Sequence, residues 1–107
     1  MYAHFRAALE KIVTKLKEKY PGNIVTVYAF GSRIRGDHTA KSDFDVLVLV
    51  NDRTIDVEEE IIGVFVEEEM KSGISFDPVI KTADSFALEK RYSTPFYQNV
   101  TEQGIQI

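Results

Sequence analysis

The sequence predicts an α+β fold, an α/β sandwich in which a small mixed β-sheet is flanked by helices. Two observations point to it. Three short runs rich in β-branched and aromatic residues, 24–30, 44–50 and 74–80, have the length of strands. Two longer stretches, 5–20 and 54–71, repeat their apolar residues at helical spacing. The order helix–strand–strand–helix–strand–helix interleaves the two kinds of element, so the helices are expected to pack on the sheet.

Each element has its own signals. Phe5, Leu9, Ile12, Val13, Leu16 and Tyr20 form one apolar face with Arg, Glu and Lys between them, and Pro21-Gly22 stops the helix. Ile24–Phe30 reads as a strand ended abruptly by Gly31-Ser32. Residues 33–42 are polar, contain Gly36, and read as a loop with room for a helical turn. Phe44–Val50 is nearly all apolar, which suits a strand buried on both faces. Asn51-Asp52 marks a turn and Thr54 an N-cap. The helix that follows runs to about Lys71, with Val57, Ile61 and Phe65 turned inward and Ile62, Val66 and Met70 as further candidates for that face. Ser72-Gly73 is its stop. In the third strand, Ile74–Ile80, Pro78 cannot donate to a ladder and so marks a sheet edge or a strand end. Asp84 or Ser85 would cap a short helix through Phe86, Leu88 and Lys90. A last helix after Pro95 holds Phe96, Tyr97 and Val100 and ends at Gly104.

Residues 1–107 are expected to form a single domain. With 17 acidic and 13 basic residues the formal charge is −4, which does not indicate direct nucleic-acid binding, since that normally needs a basic face. Six of the acids, at 58–60 and 67–69, read as a solvated helix face. There is no cysteine, so disulfides and thiolate metal sites are excluded. The longest purely apolar run, Val46–Val50, is far too short to span a membrane, and the first twenty residues lack the apolar stretch of a signal peptide. A cytoplasmic location is expected.

Three features carry chemistry. Gly31-Ser32 follows a strand directly, Asp43-Phe44-Asp45 opens the next strand, and Asp77 lies in the third. Side chains alternate along a strand, so Asp43 and Asp45 share one face about 7 Å apart, with Phe44 on the other. Carboxylates held that close repel, and a divalent cation removes the conflict. Hard oxygen ligands suit Mg²⁺, which commonly bridges to substrate phosphates. Two such ions stabilise the attacking and leaving oxygens of phosphoryl transfer. Asp77, at the same depth in a strand able to pair beside Asp45, is a candidate third ligand and proton acceptor. Glycine lets the backbone approach a phosphate, and Ser32 with the following N–H groups can donate to it. Arg33 and Arg35 are near enough in sequence to reach a triphosphate. Taken singly, each feature has a plainer reading as turn chemistry, strand end or solvated loop charge; together they are expected at strand ends on one sheet edge. His4 and His38 are lone histidines, read as surface or capping residues. Tyr92, Phe96 and Tyr97 are read as packing on the sheet.

The stretch Phe30-Gly31-Ser32-Arg33-Ile34-Arg35-Gly36, followed by Ser42-Asp43-Phe44-Asp45-Val46-Leu47-Val48, resembles the signature of the polymerase-β-type nucleotidyltransferase superfamily. More narrowly it resembles the minimal nucleotidyltransferases of prokaryotes: Gly-Ser, ten residues, then Asp-x-Asp. The closing segment from Ser93 through Ile105 is similar to that of many such proteins. The resemblance implies the nucleotidyltransferase fold, with Mg²⁺ and a nucleoside triphosphate, ATP by expectation, bound near Ser32, Asp43 and Asp45 and with Asp77 as the matching third acid. It also implies transfer of a nucleoside monophosphate to an acceptor hydroxyl. Minimal members commonly pair with a small helical partner of the HEPN type. In several such pairs the nucleotidyltransferase acts as antitoxin and resembles enzymes that move AMP to a tyrosine of the partner. The alternative is a non-catalytic binding module of the same fold that neutralises a helical partner. Asp77-Pro78 separates the two: a strand turned aside at Pro78 would take Asp77 away from the metal. An unrelated small domain with a structural Asp-x-Asp is a third reading.

Overall fold

Helix α1 (Tyr2–Lys19) lays Phe5, Ala8, Leu9, Ile12, Val13 and Leu16 onto the sheet, alternating steps of three and one that keep to one side of a helix. The computed structural model describes residues 2–35 and 43–107. Strand β1 (Ile24–Phe30) leads into the single turn α2 (Ser32–Arg35), and β2 (Phe44–Val50) follows. Helix α3 (Ile55–Ser72) connects β2 to β3 (Phe76–Thr82), then come α4 (Ala83–Tyr92), α5 (Pro95–Gln98), a π-helical turn at Asn99–Gln103, and the two-residue strand β4 (Ile105–Gln106).

The sheet order is β3-β2-β1-β4. Strand β2 pairs antiparallel with β1 and parallel with β3, which makes the sheet mixed. As its composition requires, β2 is central: Phe44 and Val46 through Val50 are all buried. Its alternating side chains feed two apolar clusters. Phe44, Val46, Val48 and Val50 join α1 and α3 on one face. Leu47 and Leu49 join Phe86 and Val100 on the other, with Tyr28, Phe30, Val79, Phe96 and Tyr97 around them. Removing a side chain such as Leu47 from water stabilises the fold by about 2 kcal/mol.

Caps and turns fix the helices between the strands. The Thr54 hydroxyl accepts from Val57 N–H at 3.2 Å, and Gly73, at φ +75°, closes α3 with its N–H donating to Glu69 C=O. Asn23 and Asp52 exchange two hydrogen bonds, 2.7 and 3.0 Å, pinning the turn after β2 to the one before β1.

The structure differs from the sequence reading in several places. The cap of α4 is Thr82, whose hydroxyl accepts from Ser85 N–H, instead of Asp84 or Ser85. Strand β3 begins at Phe76 and ends at Thr82, two residues later than its composition suggests, because its register is set by β2. Ile62, Val66 and Met70 face outward, 40%, 47% and 82% exposed, because α3 buries only the stripe Ile61, Val64, Phe65 and Glu68. That stripe makes Glu68, read as part of a solvated face, a buried charged residue. Finally, Tyr92 is 72% exposed at the end of α4, whereas Phe96 and Tyr97 pack as expected. Strand β4 is too short to leave a compositional signal. It is seated by Gly104, where a Cβ would lie 2.3 Å from Val100 O and 2.8 Å from Ala29 O.

Candidate active site

One end of the sheet collects the residues that the motif singles out. Because β1 runs antiparallel to β2, the C-terminal end of β1 lies beside the N-terminal end of β2, and Phe30 pairs with Asp45. Because β3 runs parallel to β2, its N-terminal end lies there too, and Asp45 pairs with Asp77. Paired residues of neighbouring strands project to the same face, so the Asp45 and Asp77 carboxylates rise side by side. Leu47 and Val79, two residues on, belong to the second cluster and identify that face. Asp43 immediately precedes β2 and is exposed, Asp45 is half-buried, and Asp77 is exposed.

Pro78 does not turn β3 aside. The ladder runs unbroken from Phe44↔Phe76 to Val50↔Thr82. Phe44 N–H donates to Ser75 C=O at 2.9 Å. Since alternate residues of a parallel strand turn their N–H towards the neighbour, Asp77, Val79 and Lys81 face β2 and Pro78 faces the open side. Strand β3 is an edge strand, and the missing N–H of Pro78 falls where no ladder bond is made.

Gly31 makes the second half of the site. Its φ is +90°, a conformation that favours glycine. A Cβ at this position would lie 2.1 Å from Asp45 Oδ2 and 3.0 Å from Asp45 Cγ. The Asp45 carboxylate therefore rests directly against the Gly31 backbone, in space that any side chain would take. The chain then enters α2, where Ile34 N–H donates to Gly31 C=O at 3.2 Å. Ser32 and Arg35 bound this turn; their side chains, and His38 with the rest of 36–42, lie outside the described residues. The Arg33 guanidinium lies 4.2 Å from the centre of the ring of Phe44, a residue of the core-side cluster. Phe44 is in turn stacked on Phe5 at 4.0 Å.

The face beyond the carboxylates is closed by α4 and α5. Phe30 meets Phe96 edge-on at 5.4 Å, and Lys81 Nζ sits 4.2 Å above the Phe96 ring. The same ammonium pairs with Glu89, which also accepts from the Thr94 hydroxyl at 2.9 Å. Burial works to raise the Glu89 carboxyl; the hydrogen bonds from Lys81 and Thr94 and the Lys81 charge together outweigh it and hold the group below its ordinary value. Sequence reading had no signal for this pair, since Lys81 and Glu89 meet only when α4 folds back on β3. His4, exposed on α1, lies 3.4 Å from Ser72 C=O at the end of α3.

Hard carboxylate oxygens at a strand end match the donor chemistry of Mg²⁺. Among the described residues, no group of three His, Cys, Asp or Glu side chains is gathered tightly enough to hold a metal ion by itself. The arrangement shown is a carboxylate pair in register, a third acid beside it, and a bare glycine backbone.

The nucleotidyltransferase domain family matches residues 9–100. The chain belongs to that family. It is 33% identical over 97 residues to a protein of Methanocaldococcus jannaschii described as a "putative protein adenylyltransferase", with 91% of each chain covered. A second protein of that organism with the same description is 32% identical, covering 90% of this chain and 87% of the relative. Among solved structures, a nucleotidyltransferase described as putative from Sulfolobus solfataricus superposes with a TM-score of 0.60 at 21% identity, over 98% of this chain and 82% of that one. A chain from the complex of a tri-AMPylated Shewanella oneidensis HEPN toxin with its MNT antitoxin superposes at 0.53 and 22% identity, over 94% and 69%. These likenesses are of fold. The family match and the relatives make the chain a nucleotidyltransferase-domain enzyme, built on the mixed sheet described above.

Proposed function

We propose that this nucleotidyltransferase moves AMP from ATP, with Mg²⁺, onto a hydroxyl of a protein acceptor, a tyrosine of a small helical HEPN-type partner being the expected one. The observation that supports it best is the contact of Asp45 with the Gly31 backbone, with Asp77 in register alongside. Two curated relatives at 32–33% identity are described as protein adenylyltransferases, and a structural neighbour is a toxin–antitoxin complex solved with AMP-PNP. A cytoplasmic location and a pairing as antitoxin fit the same reading.

In this mechanism Asp43, Asp45 and Asp77, with phosphate oxygens of the substrate completing the set, would hold the metal, which would supply charge neutralisation for the triphosphate and acidify the attacking hydroxyl. Gly31 leaves room for the Asp45 carboxylate to sit against its backbone. Ser32 and the N–H groups after Gly31 donate to phosphate oxygens, and Arg35 offers a guanidinium to the same group. The acceptor oxygen forms a bond to the α-phosphorus as the α–β bridging oxygen leaves with pyrophosphate. The Asp77 carboxylate takes the hydroxyl proton. Catalysis on this scheme is mostly positioning and charge neutralisation.

Calorimetric titration of the chain with ATP, with and without Mg²⁺, tests the site. Binding should require Mg²⁺ and be lost in the Asp43→Asn/Asp45→Asn double variant. That variant should melt at the same temperature as the parent or slightly higher, because carboxylate repulsion is relieved. Mg²⁺-dependent binding that survives the double substitution would overturn the assignment.

A further inference from the structure

Helix α3 presents a second surface on its outer side. Ile55, Ile62, Val66 and Met70, spaced by seven, four and four residues, fall on one side of the helix, and all four are exposed, Met70 by 82% and Ile55 by 75%. Ile62, Val66 and Met70 follow one another by single turns and form an exposed apolar ridge, with Ile55 two turns before Ile62 across Glu58 and Glu59; a run of this kind is a candidate interaction surface. Their rim is acidic. Glu58 and Glu59 flank Ile62, and Glu69 flanks Val66, one turn along. Glu58 is paired with Arg53, but among the described residues Glu59 and Glu69 meet no basic partner.

Gly63 adds an independent observation. It lies mid-helix, where glycine is unfavourable, and a Cβ there would meet nothing within 4 Å, so no internal packing requires it. Beside it is a shallow hollow lined by Asp56, Glu59, Glu60 and Glu67, with Lys19 at one side. Glu60 is hydrogen-bonded to Tyr20 and lies 3.9 Å from Lys19, Glu67 is shared between Lys15 and Lys71, and Asp56 and Glu59 pair with no base among the described residues. The hollow is thus an excess of carboxylates beside an apolar ridge, with the helix backbone open to close approach.

We propose that the outer side of α3 is a docking surface for a helix of another protein, one whose apolar ridge is bordered by lysine or arginine. The apolar side chains would pack along Ile62, Val66 and Met70, and a cationic side chain would enter the hollow at Gly63. Charge complementarity selects this occupant. A second copy of the chain would set Glu59 and Glu69 of one α3 against those of the other, and like charges across an interface are unfavourable. The surface uses none of the residues assigned to nucleotide or metal, so the proposal stands apart from the adenylyl-transfer reading and can fail without it.

The test uses the full chain, ¹⁵N-labelled, titrated with two synthetic amphipathic helices sharing one leucine ridge, bordered by lysine in one and glutamate in the other. The lysine-bordered peptide should shift the amides of residues 59–70, and the glutamate-bordered peptide should not. Met70→Glu should weaken the first by at least about tenfold. Glu59→Lys should weaken it too, while ATP binding is unchanged in both variants. Because these positions are exposed, their circular dichroism melts should match the parent. Equal binding of both peptides, shifts centred elsewhere, or indifference to Met70→Glu would overturn the proposal. So would a dimer in sedimentation equilibrium that Met70→Glu dissociates, since that result assigns the ridge to a second copy.

Discussion

The contact between Gly31 and Asp45 gives the sharpest quantitative expectation. Gly31→Ala has two separable costs. An L-residue at φ +90° carries backbone strain of about 1–2 kcal/mol. The new Cβ would also stand 2.1 Å from Asp45 Oδ2 and 3.0 Å from Cγ, so the carboxylate must move by more than about 1 Å to restore contact distance. Turning Asp45 aside adds about 1–2 kcal/mol, and the total of about 2–4 kcal/mol is a large share of the stability of a domain this size. Melting should drop by about 10–20 °C. The two costs are resolved by a double-mutant cycle with Asp45→Ala, which removes the atoms at 2.1 and 3.0 Å and leaves only Asp45 Cβ, at 3.3 Å. Gly31→Ala should be milder in that background by about 1–2 kcal/mol, read from urea unfolding. Additive effects, with no coupling between the two positions, would refute the placement of the carboxylate against the glycine backbone.

Two further outcomes follow from the edge strand and from the ion pair behind the site. Pro78→Ala should change stability by no more than about 0.5 kcal/mol in urea unfolding, because the nitrogen concerned makes no ladder bond; a large loss would mean that proline stiffness holds the register. Glu89, held below its ordinary value chiefly by Lys81 and Thr94 against the opposing effect of burial, stabilises the fold above the carboxylate's unfolded pKa, and that contribution is lost as pH falls through its folded pKa. Glu89→Gln should therefore cost about 1–3 kcal/mol near neutral pH, with a melting temperature that falls less on acidification than the parent's; parallel pH profiles would count against the pair.

The correspondence between sequence and structure is closest where one local rule decides. Thr54 and Gly73 bracket α3 as a cap and a left-handed stop because each acts on its own helix end. Phe44–Val50 reads as a doubly buried strand because nothing but a central strand accepts that composition, and it lies between β1 and β3. Pro78 reads as a sheet edge or a strand end for the same kind of reason, and the structure selects the edge. The failures share a cause as well. Ile62, Val66 and Met70 are apolar and helical, so periodicity alone cannot tell an inward face from an outward one; the docking of α3 against α1 and the sheet makes that choice. Thr82 rather than Asp84 caps α4 because the strand before it runs two residues further than composition indicates.

The site divides along the same line. By itself the sequence determined the chemical inventory: a glycine after one strand, two carboxylates at the start of the next, a third in the last, and a spacing that resembles one superfamily. These are local facts, because each residue type and its alternation within a strand are set by its neighbours in the chain. Only the tertiary structure decided that they meet. Asp77 stands beside Asp45 because β3 pairs parallel with β2 in a particular register, and a shift of one residue would have turned it to the opposite face. The Asp45 carboxylate occupies the space a Gly31 side chain would need because β1 returns antiparallel beside it. Strand pairing joins residues more than thirty positions apart, as Asp45 and Asp77 are, and no interaction between sequence neighbours encodes it.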